Sequence, residues 1–510
     1  MNNQLDAYRM IPPSRRLFAG FILALANFIV VLDVTIANVS VPHIAGNLGI
    51  SPTQGTWVIT SYAVAEAITV PLAGWLSQRF GTVRLMIASL SGFGFFSLMC
   101  GLSPTLGMLV VCRVGQGICG GPIMPMSQTL MLRVFPPEAR AKAMGLWAMT
   151  TLLGPASGPI IGGLISDSWS WHWIFFINIP VVIFAVSAAI SLLRPIETET
   201  RKVPIDRVGL ALLIFWIGCL QLMLDLGRER DWFGDPMIVA LAICAGLGFA
   251  MFVIWELTDE HPIVDLRIFR HRSFTFGVLT LALCFGSYFA SIVVIPQWLQ
   301  VSMGYSATRA GFTVALTAIA ALTTSQLAAK LAMKSDARLL VSLAVAWLGV
   351  NALWRSHWVS EADFWTFASP QLVQGFAMSF FVVPLTTITL TSLPPSQTAS
   401  AAGLQNFLRT ISIGIATSLA LTYWENSQRV ARTELAGSLQ ADDVNRMLSS
   451  SGFSAEQGRQ IISNLVDREA TTLAINHTFL VTAAIFFFAA AIVWLAPRPK
   501  AVADGAPGGH

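Results

Sequence analysis

Charged residues are scarce in this sequence. The 31 Lys and Arg and the 27 Asp and Glu together make up 11% of its 510 residues. A water-soluble protein carries about 25% charged residues, so a soluble globular enzyme is excluded. The formal net charge of +4 is small. The basic residues are spread over short segments between apolar runs, so no nucleic-acid partner is predicted.

Residue types that build catalytic and metal centres are also few or poorly spaced. None of the six cysteines belongs to a C-x-x-C pair, so neither a disulfide framework nor a zinc site is indicated. The five lysines include no G-x-x-x-x-G-K-[ST] loop, which excludes an ATP-driven pump. The seven histidines fall in loops or tails, outside any H-E-x-x-H pattern. We therefore predict no cofactor, no metal and no enzymatic activity.

Apolar sequence is abundant, because 55% of the residues are hydrophobic and they form long runs. A helix crosses a bilayer with about 20 apolar residues, and fourteen runs come near that length. The sequence thus predicts an all-α integral membrane protein with fourteen transmembrane helices. The predicted spans are 17–41, 57–77, 85–102, 106–132, 143–165, 173–193, 208–226, 237–257, 274–295, 310–331, 339–353, 364–390, 399–424 and 479–495.

The basic residues indicate the orientation. Twenty of the 31 lie in the two tails or in the loops after even-numbered spans, against four in the short loops on the other side. Short cytoplasmic loops collect Lys and Arg. We therefore predict a multi-pass protein of a bacterial inner membrane with both termini in the cytoplasm.

An internal repeat divides the spans. Three dipeptides recur at an offset of 258 residues, and a shorter pattern recurs at 255. Both shifts equal eight spans, an even number, which predicts a parallel repeat of two like bundles. Six spans per bundle leave two inserted helices, so the predicted units are 1–200, 201–262 and 263–510. The repeated elements are Gln116-Gly117 with Gln374-Gly375, Pro136-Pro137 with Pro394-Pro395, Gly145-Leu146 with Gly403-Leu404, and Gly49-x-Ser51-x-Thr53 with Gly304-x-Ser306-x-Thr308.

Four ionisable residues stand out inside the spans, where a charge at the bilayer centre costs at least about 2.5–3.5 kcal/mol. They are Asp33 in span one, Glu66 in span two, Arg113 in span four and Arg409 in span thirteen. At a rise of about 1.5 Å per residue, the first three lie about 12, 14 and 10 Å below the periplasmic ends of their spans. A buried carboxylate beside a cation can take up and release a proton. We therefore predict that Asp33, Glu66 and Arg113 act in proton coupling.

Alternatives stay open for these residues. Arg113 and one carboxylate would alternatively form a purely structural ion pair, and Glu66 would alternatively line a polar cavity. Four polar residues are predicted to line a substrate cavity: Asn38, Gln116, Asn406 and Arg409.

Several motifs resemble those of the major facilitator superfamily, and more narrowly of its fourteen-span drug:proton antiporters. The motifs are Leu32-Asp33-x-Thr35-x-x-Asn38-Val39-x-x-Pro42 in span one, Gly74-x-Leu76-x-x-Arg79-x-Gly81-x-x-Arg84 after span two, Arg113-x-x-Gln116-Gly117 in span four, and Gly154-x-x-x-Gly158-Pro159-x-x-Gly162-Gly163 in span five. The loop motif departs from the family at Gln78, where Asp is usual.

The resemblance implies roles for these motifs. In the family, the arginine of the span-four motif is associated with proton transfer. The loop motif, here Gly74, Arg79, Gly81 and Arg84, serves gating. The span-five helix packs between the bundles and is thought to seal the proton route in exporters. The alternative, that its glycines only allow a tight helix crossing, stays open.

Further segments are similar to the EmrB-type inner-membrane pumps, namely 54–61, 173–180, 255–259 and 384–390. Such pumps work with a periplasmic adaptor of the EmrA type and an outer-membrane channel of the TolC type. In that group the position of Glu66 is usually uncharged, which points to an altered choice of substrate. The resemblance implies proton-coupled efflux of small hydrophobic drugs and toxic compounds. A stand-alone exporter, or an uptake carrier for a specific metabolite, lipid or siderophore, stays open.

Segment 425–477 is the only long extracytoplasmic loop that the sequence predicts. Within it, 442–448 and 455–465 have the pattern of amphipathic helices, on either side of a turn at 449–452. We predict a helical hairpin that contacts the adaptor. A solvated tether is the alternative.

Overall fold

In the computed structural model of this protein, the described residues are 7–201, 204–227, 230–334, 336–391, 393–394, 397–438 and 454–497. Nearly all of them are helical, and none of these described residues lies in a strand. The prediction of an all-α fold is confirmed.

The described residues up to Leu193, which we call the first half, form nine α-helices. They are α1 (Pro13–Leu48), α2 (Pro52–Thr69), α3 (Ala73–Phe80), α4 (Thr82–Gly101), α5 (Leu106–Gly120), α6 (Ile123–Val134), α7 (Arg140–Ser168), α8 (Trp173–Phe176) and α9 (Asn178–Leu193).

The described part of the remaining chain continues the pattern. Its helices are α10 (Arg207–Gly227), α11 (Pro236–Thr258), α12 (Arg272–Met303), α13 (Ala307–Lys334), α14 (Ala337–Arg355), α15 (Phe364–Thr391), α16 (Thr398–Ser438) and α17 (Ala455–Ile492).

Three predicted spans are broken helices. The chain bends by 60° between segments 54–69 and 73–80, where Pro71 interrupts the helix between α2 and α3. The break between α5 and α6 falls at Gly121 and Pro122. Proline lacks the backbone N–H that a helix interior uses, and glycine lowers the cost of the bend. Span six consists of α8 and α9, joined at Ile177.

Ten helices of the described residues are long and apolar enough to cross a membrane, or twelve if the bent segments 54–80 and 137–166 each count as one span. Helices α13 and α16 are not in this group, although they have 28 and 41 residues. Helices therefore occupy all fourteen predicted positions, while the count of fourteen crossings stays a prediction.

The repeated Gly-x-Ser-x-Thr pattern has a structural cause. Gly49 ends α1 with a φ of 64°, and the Ser51 hydroxyl accepts a hydrogen bond of 3.2 Å from the backbone N–H of Gln54. Gly304 ends α12 with a φ of 67°, and Ser306 accepts from the N–H of Arg309 at 3.2 Å. Glycine tolerates the left-handed conformation and serine satisfies a free N–H, so both copies make the same tight turn.

Helix packing follows the order of the spans. In the first half, α1 packs along α7, α2 along α5, and α4 against α5 and α9. In helices α12 to α17, which we call the second half, α13 packs along α15, and α12 packs on α16 and α17. The halves meet along α7 and α13, while α10 and α11 pack on each other and α10 also contacts α2 and α16. The boundaries of the three predicted units stay a prediction.

The region predicted as a long loop differs from the expectation. Helices α16 and α17 have 41 and 38 residues, about 61 and 57 Å at 1.5 Å per residue, against a hydrocarbon core of about 30 Å. Residues 425–438 and 455–477 therefore continue these helices. The predicted helix 455–465 lies within α17, whereas 442–448 and the turn at 449–452 lie outside the described residues.

We call segments 425–438 and 455–477 the projection. Arg432 Nε lies 2.8 Å from Asp467 Oδ1, and Gln428 Nε2 donates to Thr471 Oγ1 at 2.8 Å. Asn476 Nδ2 donates to the Trp358 carbonyl at 2.8 Å, which ties the base of the projection to the segment between α14 and α15. The projection is thus a paired extension of the bundle.

Candidate functional site

A buried carboxylate forms the centre of the site. Asp33 lies in the middle of α1 and has no exposed surface. Its Oδ2 is 2.6 Å from Nη1 of Arg113 on α5, which is also buried. The structure thus joins two of the residues that the sequence assigned to proton coupling. The ion pair anticipated as the alternative for Arg113 is present, and it contains the carboxylate predicted to carry the proton.

The second oxygen of Asp33 is held by two amides. Asn178 Nδ2 of α9 donates to Oδ1 at 2.6 Å, and Gln116 Nε2 of α5 donates at 3.0 Å. Asn178 is itself within 3.0 Å of the Ser97 hydroxyl on α4. Buried charges persist when a partner and further hydrogen bonds offset the lost hydration, and here donors from α5 and α9 do so. Gln116, predicted to line a substrate cavity, belongs to this network.

Arg113 is fixed by groups on several helices. Its Nη1 also donates to Gln116 Oε1 at 2.8 Å, and its Nε donates to the Val58 carbonyl of α2 at 2.9 Å. The guanidinium carbon lies 4.3 Å from the ring centroid of Tyr62, a cation–π contact. Neutralising Asp33 would remove the only negative charge that is hydrogen-bonded to this cation in the described network. Loss of the charge at Asp33 would therefore alter contacts that join α1, α2, α5 and α9.

Glycines in α5 and at the break after it make this arrangement possible. A Cβ added at Gly117 would lie 2.5 Å from the Tyr62 carbonyl oxygen and 3.1 Å from the Glu66 nitrogen. A Cβ at Gly121 would meet the Thr69 hydroxyl. Glycine allows the backbones to approach closely, and this brings the Tyr62 ring over Arg113.

Three of the four glycines of the span-five motif face α1. A Cβ at Gly154 would lie 2.6 Å from Val31 Cγ1, one at Gly162 would lie 3.0 Å from the Ile36 carbonyl, and one at Gly158 would collide with Thr35. A Cβ at Gly163 would meet nothing within 4 Å. The glycines therefore permit a tight crossing of α1 and α7, which is the alternative role that the sequence left open for this motif. Pro159 is part of α7, but its side chain lies outside the described residues.

Other residues of α7 face the opposite half of the molecule. Leu153 and Ile160 pack on Ala315 and Ala318 of α13. Helix α7 thus touches α1 within two residues of Asp33 and touches α13 across the interface. Helix α7 is therefore in contact both with the helix that carries Asp33 and with the opposite half.

Glu66 of the first half and Arg409 of the second half interact electrostatically. Glu66 lies on α2, one helical turn after Tyr62, and it is not a hydrogen-bond partner of Asp33. Its charge interacts with Arg409 of α16, and more weakly with Arg113 and Asp33. Of the three residues predicted for proton coupling, Glu66 is thus the one outside the hydrogen-bonded network.

Arg409 and Asn406 reach the first half of the molecule. Arg409 Nη2 contacts the Met124 sulfur of α6, and the Arg409 guanidinium carbon lies 5.4 Å from the Phe285 ring centroid. Asn406 Nδ2 donates to Gln128 Oε1 at 2.8 Å. These two predicted cavity residues therefore lie at the interface, whereas Asn38 is exposed on α1, five residues after Asp33, outside this cluster.

The loop motif combines tight contacts with exposed charge. A Cβ at Gly74 would lie 2.7 Å from Ser400 Cα, across the interface, and Gly81 has a φ of 90° that favours glycine. The Arg79 guanidinium carbon lies 5.5 Å from the Trp75 ring centroid. Arg84 is exposed, and its Nε lies 4.0 Å from Glu197 Oε2.

Glu197, just after span six, places its carboxylate next to this loop. Glu197 accepts hydrogen bonds of 2.9 Å from the backbone N–H groups of Val83 and Arg84, at the start of α4. An anion is favoured at a helix N-terminus. Glu197 thus supplies negative charge at the loop where Gln78 departs from the family pattern.

Sequence reasoning missed three members of the site. Asn178 occurs in a quoted family segment, and Tyr62 and Gln128 occur in apolar spans. A polar amide inside a predicted span is a signal for Asn178 and Gln128, since such a group needs a partner in lipid. No sequence pattern indicates that Tyr62 stacks on Arg113. Among the described residues, no cluster of three or more His, Cys, Asp or Glu has the arrangement of a metal site.

Comparisons with known proteins place these features in a family. The sequence profile of the Major Facilitator Superfamily matches residues 23–417. The multidrug export protein EmrB of Escherichia coli K12 is 43% identical over 494 residues, which cover 96% of each chain. The fatty acid resistance protein FarB of Neisseria gonorrhoeae is 41% identical over 482 residues, 94% of this chain and 95% of FarB.

A solved structure supports the fold. It is a bacterial homologue of the human lysosomal transporter Spinster in an inward-facing and occupied conformation. The TM-score is 0.55, the identity is 16%, and the match covers 95% of this chain and 97% of the other. Together with the apolar helices, these similarities identify a multi-pass membrane protein and a transporter rather than an enzyme.

The ion pair leads to a prediction about stability. Asp33→Asn leaves Arg113 buried without its counter-ion, and Arg113→Gln leaves Asp33 without its cation, so each variant should lose about 3–5 kcal/mol of stability. The double variant removes both charges and should recover most of the loss. Thermal unfolding of the purified full-length chains measures the coupling. Additive losses in the double variant would contradict a direct pair.

The glycines of α7 offer a matched comparison. Gly158→Ala places a Cβ against Thr35 and should cost about 1–3 kcal/mol of stability, as overpacking does. Gly163→Ala meets open space and should be neutral or slightly stabilising, because alanine favours a helix by about 0.5–1 kcal/mol. Unfolding of both variants under one condition provides the test. Equal effects at the two positions would refute the tight crossing of α1 and α7.

Proposed function

Since this chain belongs to the major facilitator superfamily, among its EmrB-type multidrug exporters, we propose that it exports hydrophobic drugs and other toxic compounds in exchange for protons. Its relatives are named for multidrug export and for fatty acid resistance, which supports small apolar substrates. Exchange for protons would make it a secondary active transporter. The proposal places it in the inner membrane with both termini in the cytoplasm, because Lys and Arg collect in the tails and in the loops after even-numbered spans.

The observation that carries this proposal is the buried carboxylate of Asp33. Arg113, Gln116 and Asn178 donate hydrogen bonds to it at 2.6, 3.0 and 2.6 Å. A proton bound there cancels a charge that orients donors on two other helices. The site therefore gains or loses a proton only together with a change in helix packing, which coupling requires.

Helix α7 carries this change to the interface. Thr35, two residues after Asp33, donates to the Gly154 carbonyl at 3.2 Å. On its other side, α7 packs on α13, and the Ser325 hydroxyl lies 3.1 Å from the Met149 sulfur across the interface. A shift of α1 against the glycines of α7 thus biases the angle between the halves. Alternating access then results from rocking of one half against the other.

We also propose that the projection docks a periplasmic adaptor of the EmrA type, which joins the pump to an outer-membrane channel of the TolC type. The paired ends of α16 and α17 extend well past the length that a bilayer requires. Their mutual ion pair and their tie to the segment between α14 and α15 hold the two helices of the projection side by side, so that they present one surface.

Everted membrane vesicles test proton exchange. Adding a hydrophobic drug to energised vesicles should release protons from the lumen, seen as recovery of the fluorescence of an acidity-sensitive dye. The Asp33→Asn/Arg113→Gln double variant keeps the charge balance and should show no release. Release at the wild-type level from this double variant would exclude Asp33 as the coupling residue.

The projection has its own test. Because Arg432 and Asp467 are in contact, residues 433–466 can be replaced by about five Gly and Ser residues that span the gap. Drug transport in vesicles should persist, since Asp33, Arg113 and α7 are untouched. Whole-cell resistance should fall, because drug would be released in the periplasm. Lost vesicle transport would place the projection in the transport cycle, and undiminished resistance would show that it docks no adaptor.

A further inference from the structure

A second buried carboxylate, away from Asp33, has one oxygen without a hydrogen bond. Glu256, near the end of α11, has no exposed surface. Its Oε2 accepts a hydrogen bond of 3.0 Å from the backbone N–H of Val264, whereas its Oε1 is buried and has no hydrogen-bond partner among the described residues. Buried polar atoms are normally hydrogen-bonded, so the unpaired oxygen indicates that Glu256 binds a further group.

The carboxylate of Asp206 lies beside this oxygen. Asp206 directly precedes α10, and its Oδ1 accepts from the backbone N–H of Gly209 at 2.8 Å, as the side chain of an N-cap residue does. Its Oδ2 accepts from Trp255 Nε1 at 2.9 Å. A Cβ added at Gly209 would collide with Asp206 Oδ2 and would lie 2.6 Å from Glu256 Oε1. The two oxygens are therefore less than about 5 Å apart, a range in which one carboxyl group affects the ionisation of the other.

The charges around these two carboxyl groups do not neutralise them. Among the described residues, the charges that act on Glu256 are those of Asp206 and Asp259, and both are negative. Arg267 is exposed, and its Nη2 donates to the Asp259 carbonyl at 2.8 Å. Two carboxyl groups that share a buried site hold one proton between them. The other ionisable side chains of the flanking segments are exposed or half-buried, namely Arg207, Glu260, His261, Asp265 and Arg270.

We propose that Asp206 and Glu256 form a second proton-binding site, in which a proton on Glu256 Oε1 makes a hydrogen bond to Asp206 Oδ2. The protonated pair joins the start of α10 to the end of α11, and Val264 joins both to the segment that leads into α12. Trp75 Nε1 donates to the Pro204 carbonyl at 3.2 Å, so the loop motif after span two lies at the same end of the molecule.

Loss of this proton would leave two negative charges side by side. Their repulsion would weaken the attachment of α10 to α11 and of α11 to the second half. Asp206 is half-buried, which gives the proton a route to the solution at this end, the cytoplasmic end in the proposed orientation. The site is thus a pH-sensitive link between the inserted helices and the second half, distinct from proton exchange at Asp33.

A permanent hydrogen-bond donor in place of the proton tests the inference. In Glu256→Gln, the amide oxygen can accept from the Val264 N–H while the amide nitrogen donates to Asp206 Oδ2, so the variant mimics the protonated pair. In the wild type, the folded chain holds a proton that the unfolded chain has released above about pH 5. The stability of the wild type relative to this variant should therefore fall as the pH rises.

Thermal unfolding of the full-length chains in lipid nanodiscs, from about pH 5 to about pH 9, measures this difference. Wild type and Glu256→Gln should unfold at the same temperature at the acidic end, and the variant should be the more stable by a margin that grows towards the alkaline end. Asp33 and Glu66 are present in both chains, so their titration cancels. A margin that is constant over the range, or that is largest at the acidic end, would overturn the proton site.

Two controls sharpen the measurement. Glu260→Gln removes an exposed carboxylate four residues after Glu256 and should follow the wild type at every pH. Carboxylate oxygens also bind Mg²⁺ and Ca²⁺, so unfolding is repeated with each ion at millimolar concentration, and no specific stabilisation is expected. Stabilisation of the wild type that is lost in Glu256→Gln would assign the pair to a metal ion and overturn the proton site.

Everted vesicles separate this inference from the proposed function. Drug-driven proton release should persist in Glu256→Gln, because Asp33 and Arg113 are untouched. At a matched proton gradient, the rates of variant and wild type should agree in acidic medium and diverge in alkaline medium. Loss of proton release in the variant alone would place Glu256 in the exchange pathway and overturn a separate site. Absence of release from both chains would contradict the proposed function, while the unfolding difference would still decide the proton site.

Discussion

The buried pair of Asp33 and Arg113 is the interaction on which the rest of the structure depends. An ion pair in lipid is stable only with close geometry and full hydrogen bonding, and this requirement accounts for the residues around it. Gln116 and Asn178 hold the carboxylate, while Val58 and Tyr62 hold the guanidinium. The glycines of α5 and α7 let α2 and α1 come close enough for these contacts.

The two halves share a repeat but differ in chemistry. The repeat offsets place Tyr288, Gln371 and Gln374 where the first half has Asp33, Arg113 and Gln116. In the second half Arg355 of α14 is buried, and it donates to Gln371 at 2.8 Å. The first half thus holds the ionisable carboxylate, and the second half contributes a cation, Arg409, to the interface. The two halves of a parallel repeat thus share their helix arrangement, whereas their ionisable side chains differ.

Much of this could be predicted from the sequence. Apolar run length locates the helices, and the cost of a charge in lipid singles out Asp33 and Arg113. Side-chain direction could not be predicted, because hydropathy does not report which face of a span meets which neighbour. Gln116 therefore proved to bind Asp33, Asn38 proved to be exposed, and the glycines of α7 proved to face α1. The unbroken continuation of α16 and α17 beyond the bilayer could not be predicted either, because polar helices outside a membrane have the same low hydropathy as loops.

In the proposed mechanism, Asp33 itself binds and releases the exchanged proton. Infrared difference spectroscopy of the full-length protein in lipid measures this directly, through the carbonyl band of a protonated carboxylic acid. The band should appear on acidification, disappear when drug is added, and be absent from the Asp33→Asn/Arg113→Gln variant. A drug-sensitive band that persists in this variant would contradict the claim and assign the proton to another group.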